Sequence, residues 1–228
     1  MNLKSKILFL GKKNCFVCKK MHEFLKLNSK NVIRINIDKS NKKKSIKKLL
    51  DWKGDYIFSF RSKYIIPNIL LNKTKIAAIN FHPGPPNYRG IGCINFSILN
   101  NEKYYGLTCH YISKKIDNGK IIDVKRFKLN PKDSIDQILS KTYKLQLNQF
   151  KYVIRSLKKS NTIQKLINNS KKEKWSKKLY TQSMLENLYN INRQMEKKNF
   201  ELELYLRATI TKNFKPYYKV GEKLFYIS

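Results

Sequence analysis

Asn80 and His82 stand two residues apart at the end of an apolar run, and a proline-rich loop follows at once: "KIAAINFHPGPPNYRG". Residues two apart on a strand point to the same side, so an amide and an imidazole would share one face. Both can donate hydrogen bonds to an oxygen that becomes negative as an acyl group is transferred. Pro83, Pro85 and Pro86 stop regular strand pairing and stiffen the mount. Further on, Asp117 in "KKIDNGKII" supplies a carboxylate that could orient the imidazole or accept a proton. The same three residues also fit a capping asparagine, a loop histidine and a hairpin aspartate. Spacing alone does not choose.

A rival constellation lies earlier. Cys15 and Cys18, in "GKKNCFVCKKM", follow a short strand and open a helix. A helix N-terminus stabilises a thiolate, so this is the setting of a thioredoxin-like redox pair. The plainer reading has both cysteines lining a strand-to-helix loop. Cys93 and Cys109 do not form a second paired knuckle, and His22 reads as a surface residue, so no metal is expected.

The elements that must position these groups alternate. "KILFL" (6–10), "VIRINI" (32–37), "DYIFSF" (55–60) and "KIAAIN" (75–80) read as strands. Helical spacing over 17–27 and a basic helix over 40–50 separate them, which implies a parallel sheet with right-handed crossovers. "YYGLTCHYI" (104–112) and "GKIIDVKRFKL" (119–129) are two more strands about a turn at Asp117-Asn118-Gly119. A long helix from Ser134 to about Lys158 follows, capped by Asp133 or Ser134. The polar stretch 160–174 reads as a linker. Beyond it lie a helix about Met184 to Leu188, another from about Glu196 to Ala208, and the terminal hairpin "YYKVGEKLFYI". The expected fold is α/β: a Rossmann-like, mostly parallel twisted sheet with flanking helices and a small C-terminal helical and hairpin appendage. The expected division is a catalytic domain over 1–159, a linker over 160–174 and a small extension over 175–228.

The chain is long enough for one sizeable core, at 228 residues and 41% hydrophobic. No apolar run approaches the roughly 20 residues that span a bilayer. "KILFLG" is too short for a signal-peptide core. The expectation is a cytoplasmic protein with reduced thiols and no membrane partner. The net charge of +34 invites a basic RNA-binding reading. The charge is nearly all lysine spread along the chain, whereas base and phosphate readers favour arginine, so it reads mainly as solvated surface.

Taken together, "INFHPGPPNYRG" and "YYGLTCHYISKKIDNGKII" resemble the folate-dependent formyltransferase family, which includes glycinamide ribonucleotide, methionyl-tRNA and nucleotide-sugar formyltransferases. The matching motifs are Asn80-Phe81-His82-Pro83, Tyr88-Arg89-Gly90, Gly106-Leu107-Thr108-Cys109-His110 and Asp117-Asn118-Gly119. The resemblance implies the formyltransferase fold, with Asn80, His82 and Asp117 as catalytic trio. It implies 10-formyltetrahydrofolate as donor co-substrate and a primary amine as acceptor. Asn80 and His82 would stabilise the oxyanion, and Asp117 would help move the amine proton through a water. "SFRSKYIIP" corresponds to the folate loop, with Phe60, Arg61, Tyr64 and Ile65 lining it. Pro85, Tyr88 and Arg89 would border the acceptor, with Arg89 either meeting an anionic acceptor or anchoring its own loop. Thr108 and His110 read as strand-face packing or as support behind the trio. The loop after the first strand lacks the phosphate-binding Gly-Ser pattern of the glycinamide ribonucleotide enzymes. That makes glycinamide ribonucleotide an unexpected acceptor; the short C-terminal appendage favours a nucleotide-linked amino sugar, with methionyl-tRNA the alternative. A basic RNA-binding module and a thiol-redox protein remain the readings from other classes. The apolar terminal hairpin could be the edge of a homodimer.

Overall fold

Ile7, Leu8, Phe9 and Leu10 are all wholly buried, which a strand achieves only when both of its faces are covered. In the computed structural model, which describes residues 1–38, 41–62, 64–196 and 200–227, they form β1 (Lys6–Leu10) at the heart of a six-stranded sheet. Numbered in chain order, β2 (Asn31–Ile35), β3 (Gly54–Phe60) and β4 (Thr74–His82) join it in parallel, in the order β2-β1-β3-β4. The crossovers run through α1 (Phe16–Lys26), α2 (Lys42–Asp51) and the short α3 (Asn68–Asn72). A two-residue strand β5 (Arg89–Gly90) and α4 (Cys93–Leu99) lead to β6 (Tyr104–Tyr111) and β7 (Ile121–Lys128). These two extend the sheet beside β4 as an antiparallel pair. The architecture is the expected mostly parallel sheet. The short elements α3, β5 and α4 went unread in the sequence, being too brief to show a period.

Each face of the sheet has its own core. Ile7, Phe9, Phe58, Phe60, Ile79 and Phe81 point to one side. There α1 and the long α5 (Ile135–Ser156) cover them, with Phe81 tilted on Phe150 at 4.9 Å between ring centroids. Ser134 caps α5 in a reciprocal pair with Gln137, as the sequence indicates. Leu8, Leu10, Ile57 and Leu70 fill the other side with Trp52 and Ile66.

Segment 160–174 is not the polar linker expected. Its first part is α6 (Ser160–Asn169), whose Leu166 and Ile167 are buried in the same core as Phe150 and Ile154. Two apolar residues among many polar ones suffice, since burying each contributes roughly 1.5–3 kcal/mol. The C-terminal portion contains β8 (Leu179–Tyr180), α7 (Gln182–Tyr189), α8 (Asn192–Met195) and α9 (Leu202–Thr209). The hairpin β9 (Tyr217–Val220) and β10 (Lys223–Tyr226) closes it. The helix expected from about Glu196 to Ala208 is present as the shorter α9, with residues 197–199 outside those described. This portion packs on the rest: β8 pairs with β5, and Asn95 Nδ2 donates to the Ala208 carbonyl at 2.8 Å. The hairpin lies outermost, with Val220, Phe225 and Tyr226 more than half exposed. Among the described residues no helix is long and apolar enough to cross a membrane.

Candidate functional site

The period of β4 decides where Asn80 and His82 go. Because Ile79 and Phe81 are driven into the α5-side core, Asn80 and His82 emerge on the opposite face at the carboxyl end of the last parallel strand. Antiparallel pairing then sets His110 opposite Asn80 and Thr108 opposite His82. The loop after His82 is tied down by two carbonyl contacts. Tyr105 Oη donates to Pro83 O at 2.6 Å and Thr108 Oγ1 to Gly84 O at 2.8 Å. A Cβ at Gly84 would lie 2.7 Å from His82 Nε2, so only glycine lets the loop close over the imidazole.

Asp117 arrives from the turn between β6 and β7 with a left-handed backbone, φ +40°. Arg89 holds that turn by donating to the carbonyls of Asp117 (2.7 Å), Ile116 (2.8 Å) and Ser176 (3.0 Å). Gly119 completes it at a point where a Cβ would overlap the Tyr111 carbonyl.

The three residues do converge. His82 Nδ1 lies 3.2 Å from Asp117 Oδ2, and Asn80 Nδ2 donates to Asp117 Oδ1 at 3.4 Å. The carboxylate also takes the Gly90 N–H at 3.0 Å on Oδ2 and has His110 Nε2 3.3 Å from Oδ1. His110 Nδ1 faces the Tyr111 carbonyl at 2.8 Å, and its Nε2 sits 3.2 Å from Asn80 Nδ2. Of the two roles expected for His110, strand-face packing or support behind the trio, its contacts with Asp117 and Asn80 fit the second. Trp175 seals the edge: its Nε1 donates to Gly119 O at 2.7 Å and its ring stands edge-on to His110 and His82. Sequence reasoning missed Trp175, and a lone tryptophan in a lysine-rich stretch was the available signal.

The electrostatics follow from the contacts. Burial would by itself raise the Asp117 carboxyl. The charge of His82, the hydrogen bond and charge of His110, and the Gly90 N–H outweigh it and hold the group well below the usual carboxylate range. Burial likewise works to lower His82, but the Asp117 carboxylate, with smaller help from Cys93 and the Tyr88 carbonyl, pushes it up to about 9. The geometry agrees. His82 Nε2 lies 2.7 Å from the Tyr88 carbonyl, which can only accept, while Nδ1 faces a carboxylate. A ring with acceptors at both nitrogens is an imidazolium donating twice. Both of its protons point at the protein. Asn80 and Asp117 are partly exposed while His82 is buried, and the Asn80 Nδ2 is itself taken up by Asp117 Oδ1 and His110 Nε2.

The other candidates divide. Phe60 is wholly buried, with its ring edge-on to Tyr143. Arg61 is half-buried, with φ +55° and its guanidinium 4.3 Å above the Tyr143 ring. Tyr64 is half-buried and Ile65 is 66% exposed. On the acceptor side, Pro85 is buried, and Tyr88 is buried with its hydroxyl between Glu102 and Asn100, both at 2.8 Å. Arg89, also buried, is taken up by its three carbonyls. These three build the mount and do not present side chains to a ligand. The loop's rigidity was legible, but which atoms would cap which carbonyls was not.

With this geometry in hand, comparison with known proteins gives a consistent picture. The sequence pattern of the formyl transferase family matches residues 18–157. A methionyl-tRNA formyltransferase of Mycoplasmopsis pulmonis is 31% identical over 96 residues, covering 42% of this chain and 33% of that protein. The bifunctional polymyxin resistance protein of Wigglesworthia glossinidia brevipalpis is 35% identical over 102 residues, covering 44% of this chain and 16% of that protein. The matched region thus spans a third or less of these curated relatives. A solved sugar N-formyltransferase from Shewanella shares the fold with a TM-score of 0.73 at 19% identity, covering 97% of this chain and 96% of that one. An N-formyltransferase from Helicobacter canadensis, solved with folinic acid and dTDP-3-aminofucose, superposes with a TM-score of 0.67 at 23% identity, covering 96% and 85%.

Proposed function

This chain belongs to the formyl transferase family, and we propose that it moves a formyl group from 10-formyltetrahydrofolate to the primary amine of a nucleotide-linked amino sugar. The observation that carries the reading is the meeting of Asn80, His82 and Asp117 within hydrogen-bond reach of one carboxylate, at the carboxyl end of β4. Crevices beyond the carboxyl ends of parallel strands are where such sheets take ligands.

The amine attacks the formyl carbon, and the carbonyl oxygen gains charge. The Asn80 amide, half-exposed beside the buried cation of His82, lies where that charge is stabilised. Asp117 is a weak base in this setting, because four groups already solvate its charge. Its work is to hold the imidazolium and to align the amine proton, through water, on its way to the folate leaving nitrogen. The half-buried Arg61 and the exposed Ile65 border the donor subsite beside Tyr64, with the buried Phe60 behind them.

The choice of acceptor is supported by extent. The sugar N-formyltransferase from Shewanella shares the fold over nearly the whole of both chains, C-terminal helices and hairpin included. The tRNA reading has the names of the curated relatives and the +34 charge in its favour. Purified protein given 10-formyltetrahydrofolate should release tetrahydrofolate with nucleotide-linked amino sugars and not with charged methionyl-tRNA. Release with the tRNA alone moves the assignment to tRNA, and folded protein silent with both ends the formyl-transfer reading.

A further inference from the structure

The formyl-transfer reading leaves one chemical grouping unused. Cys15 caps the N-terminus of α1, where its Sγ accepts the Cys18 N–H at 3.4 Å. Arg61 Nη1 lies 3.5 Å from the same sulfur. Cys18 sits one turn further on, wholly buried, with its Sγ taking the Lys12 N–H at 3.4 Å. A Cβ at Gly11 would stand 3.4 Å from that sulfur, so the glycine leaves just enough space for it. Cys15 is itself buried, with 7% of its surface exposed, but its neighbour Phe16 is 70% exposed and Lys12, Lys13 and Asn14 are exposed too, so of the two thiols Cys15 is the one nearer solvent and Cys18 lies behind it. All four cysteines of the chain are free thiols, and Cys93 and Cys109 lie elsewhere in the interior.

We propose that Cys15 and Cys18 are a thiol–disulfide exchange site: Cys15 is the attacking sulfur, Cys18 the resolving one, and Arg61 the cation that steadies the reduced form. An outer cysteine on a helix N-terminus beside a guanidinium has its thiolate stabilised twice. The asymmetry of the two thiols fits. Hydrogen bonding from Cys18 does most to bring Cys15 down to about 5 against the opposing pull of burial, with the Cys18 N–H and Arg61 adding to it. Cys18 is pushed far up by its bond to Cys15 and by burial. Residues three apart on a helix neighbour one another on a single face, as a bridge between them requires.

The oxidant is a small-molecule or protein disulfide. The Cys15 thiolate attacks one of its sulfurs, forming a mixed disulfide and releasing the first thiolate. With the charge on Cys15 gone, the Cys18 thiol loses its proton to that released thiolate and attacks the Cys15 sulfur, expelling the second thiolate. The protein gives up two electrons and the one proton of Cys18 and gains one S–S bond, and the oxidant is reduced to one thiol and one thiolate, which takes its proton from solvent. Oxidation also removes the anion facing Arg61 and leaves its guanidinium, among the described residues, the Tyr143 ring. If formyl transfer is the activity, a consequence that rests on that reading is weaker donor binding in the oxidised form.

The test equilibrates the whole protein in mixtures of reduced and oxidised glutathione, quenches with acid, alkylates free thiols and maps peptides by mass. A Cys15–Cys18 bridge should form reversibly, with Cys93 and Cys109 alkylated throughout. Cys18→Ser should stop at one glutathionyl adduct on Cys15, and Cys15→Ser should leave Cys18 unreacted. In the unmutated protein, iodoacetamide should react with Cys15 at pH 7 at least ~10-fold faster than with an ordinary thiol of pKa about 8.5. Arg61→Gln should move the midpoint of that reaction to higher pH. Free Cys15 and Cys18 after equilibration with oxidised glutathione overturns the proposal, as does ordinary Cys15 reactivity at pH 7. These readouts use no folate, so they stand or fall separately from the formyl-transfer assay.

Discussion

Two residues beside the site carry left-handed backbones, and they are held very differently. Asp117, at φ +40°, is fixed from every side. Arg89 clasps its carbonyl and that of Ile116, Gly119 fits against Tyr111 without room for a methyl group, and four groups surround its carboxylate. Arg61, at φ +55°, has a thiol at 3.5 Å and a ring at 4.3 Å, and leads into a loop whose Ile65 is largely exposed. A non-glycine residue in this region costs on the order of 1–3 kcal/mol. At Asp117 the surroundings over-determine the conformation, so the carboxylate arrives already placed. At Arg61 fewer of the described contacts enforce it. On the proposed reading, the difference would separate the part of the site that handles the proton and the charge from the part that accommodates a ligand.

The sharpest way to break that contrast is Asp117→Asn. The amide keeps the shape but removes the anion facing His82, and formyl-transfer kcat should fall at least ~100-fold. Leaving a buried imidazolium unpaired costs roughly 3–5 kcal/mol, lessened because His82 can shed its proton, so the urea midpoint should fall as well. A variant within fivefold of the parent rate would mean the turn is scaffold only.

A smaller effect should appear with pH. His82 is raised from an ordinary value near 6.5 to about 9 in the fold. Its stabilising contribution, on the order of 3 kcal/mol, is therefore complete below pH ~6.5 and lost as pH rises through about 9. Measured against His82→Gln, the parent's melting temperature should converge on the variant's between those limits. A gap that stays constant from pH 6 to 10 would show that the ion pair contributes no such linkage.

How much of this was legible in the sequence follows the same division. The trio could be found because strand period, proline-rich loop and Asp-x-Gly turn are local signals. Its connection was not legible, because it depends on distant partners: Arg89 reaching Ser176, Trp175 closing on Gly119, and His110 placed opposite Asn80 by register. Pro85, Tyr88 and Arg89 looked like ligand contacts for the same reason. Residue type suggests a role, but only packing shows that a tyrosine hydroxyl is already bonded to Glu102 or a guanidinium to three carbonyls. Likewise α6 does carry a helical period, with Ile163, Leu166 and Ile167 at i, i+3 and i+4 packed on the core, but the polar residues around them made the stretch read as a linker.

The smallest effect is expected at Ile65→Ala, and it tests the less constrained half of the contrast. The side chain is 66% exposed, so truncation should leave stability within ~0.5 kcal/mol of the parent. If the loop closes on the donor, the same truncation removes apolar contact made only in the complex. At about 0.8 kcal/mol per buried methylene, a partly covered side chain contributes roughly 1–2 kcal/mol, which is a rise of about 5- to 30-fold in KM for 10-formyltetrahydrofolate. Contact that is equal in the ground and transition states leaves kcat unchanged. A fall in kcat at constant KM would place Ile65 with Asp117 among the groups that must be held in advance of binding.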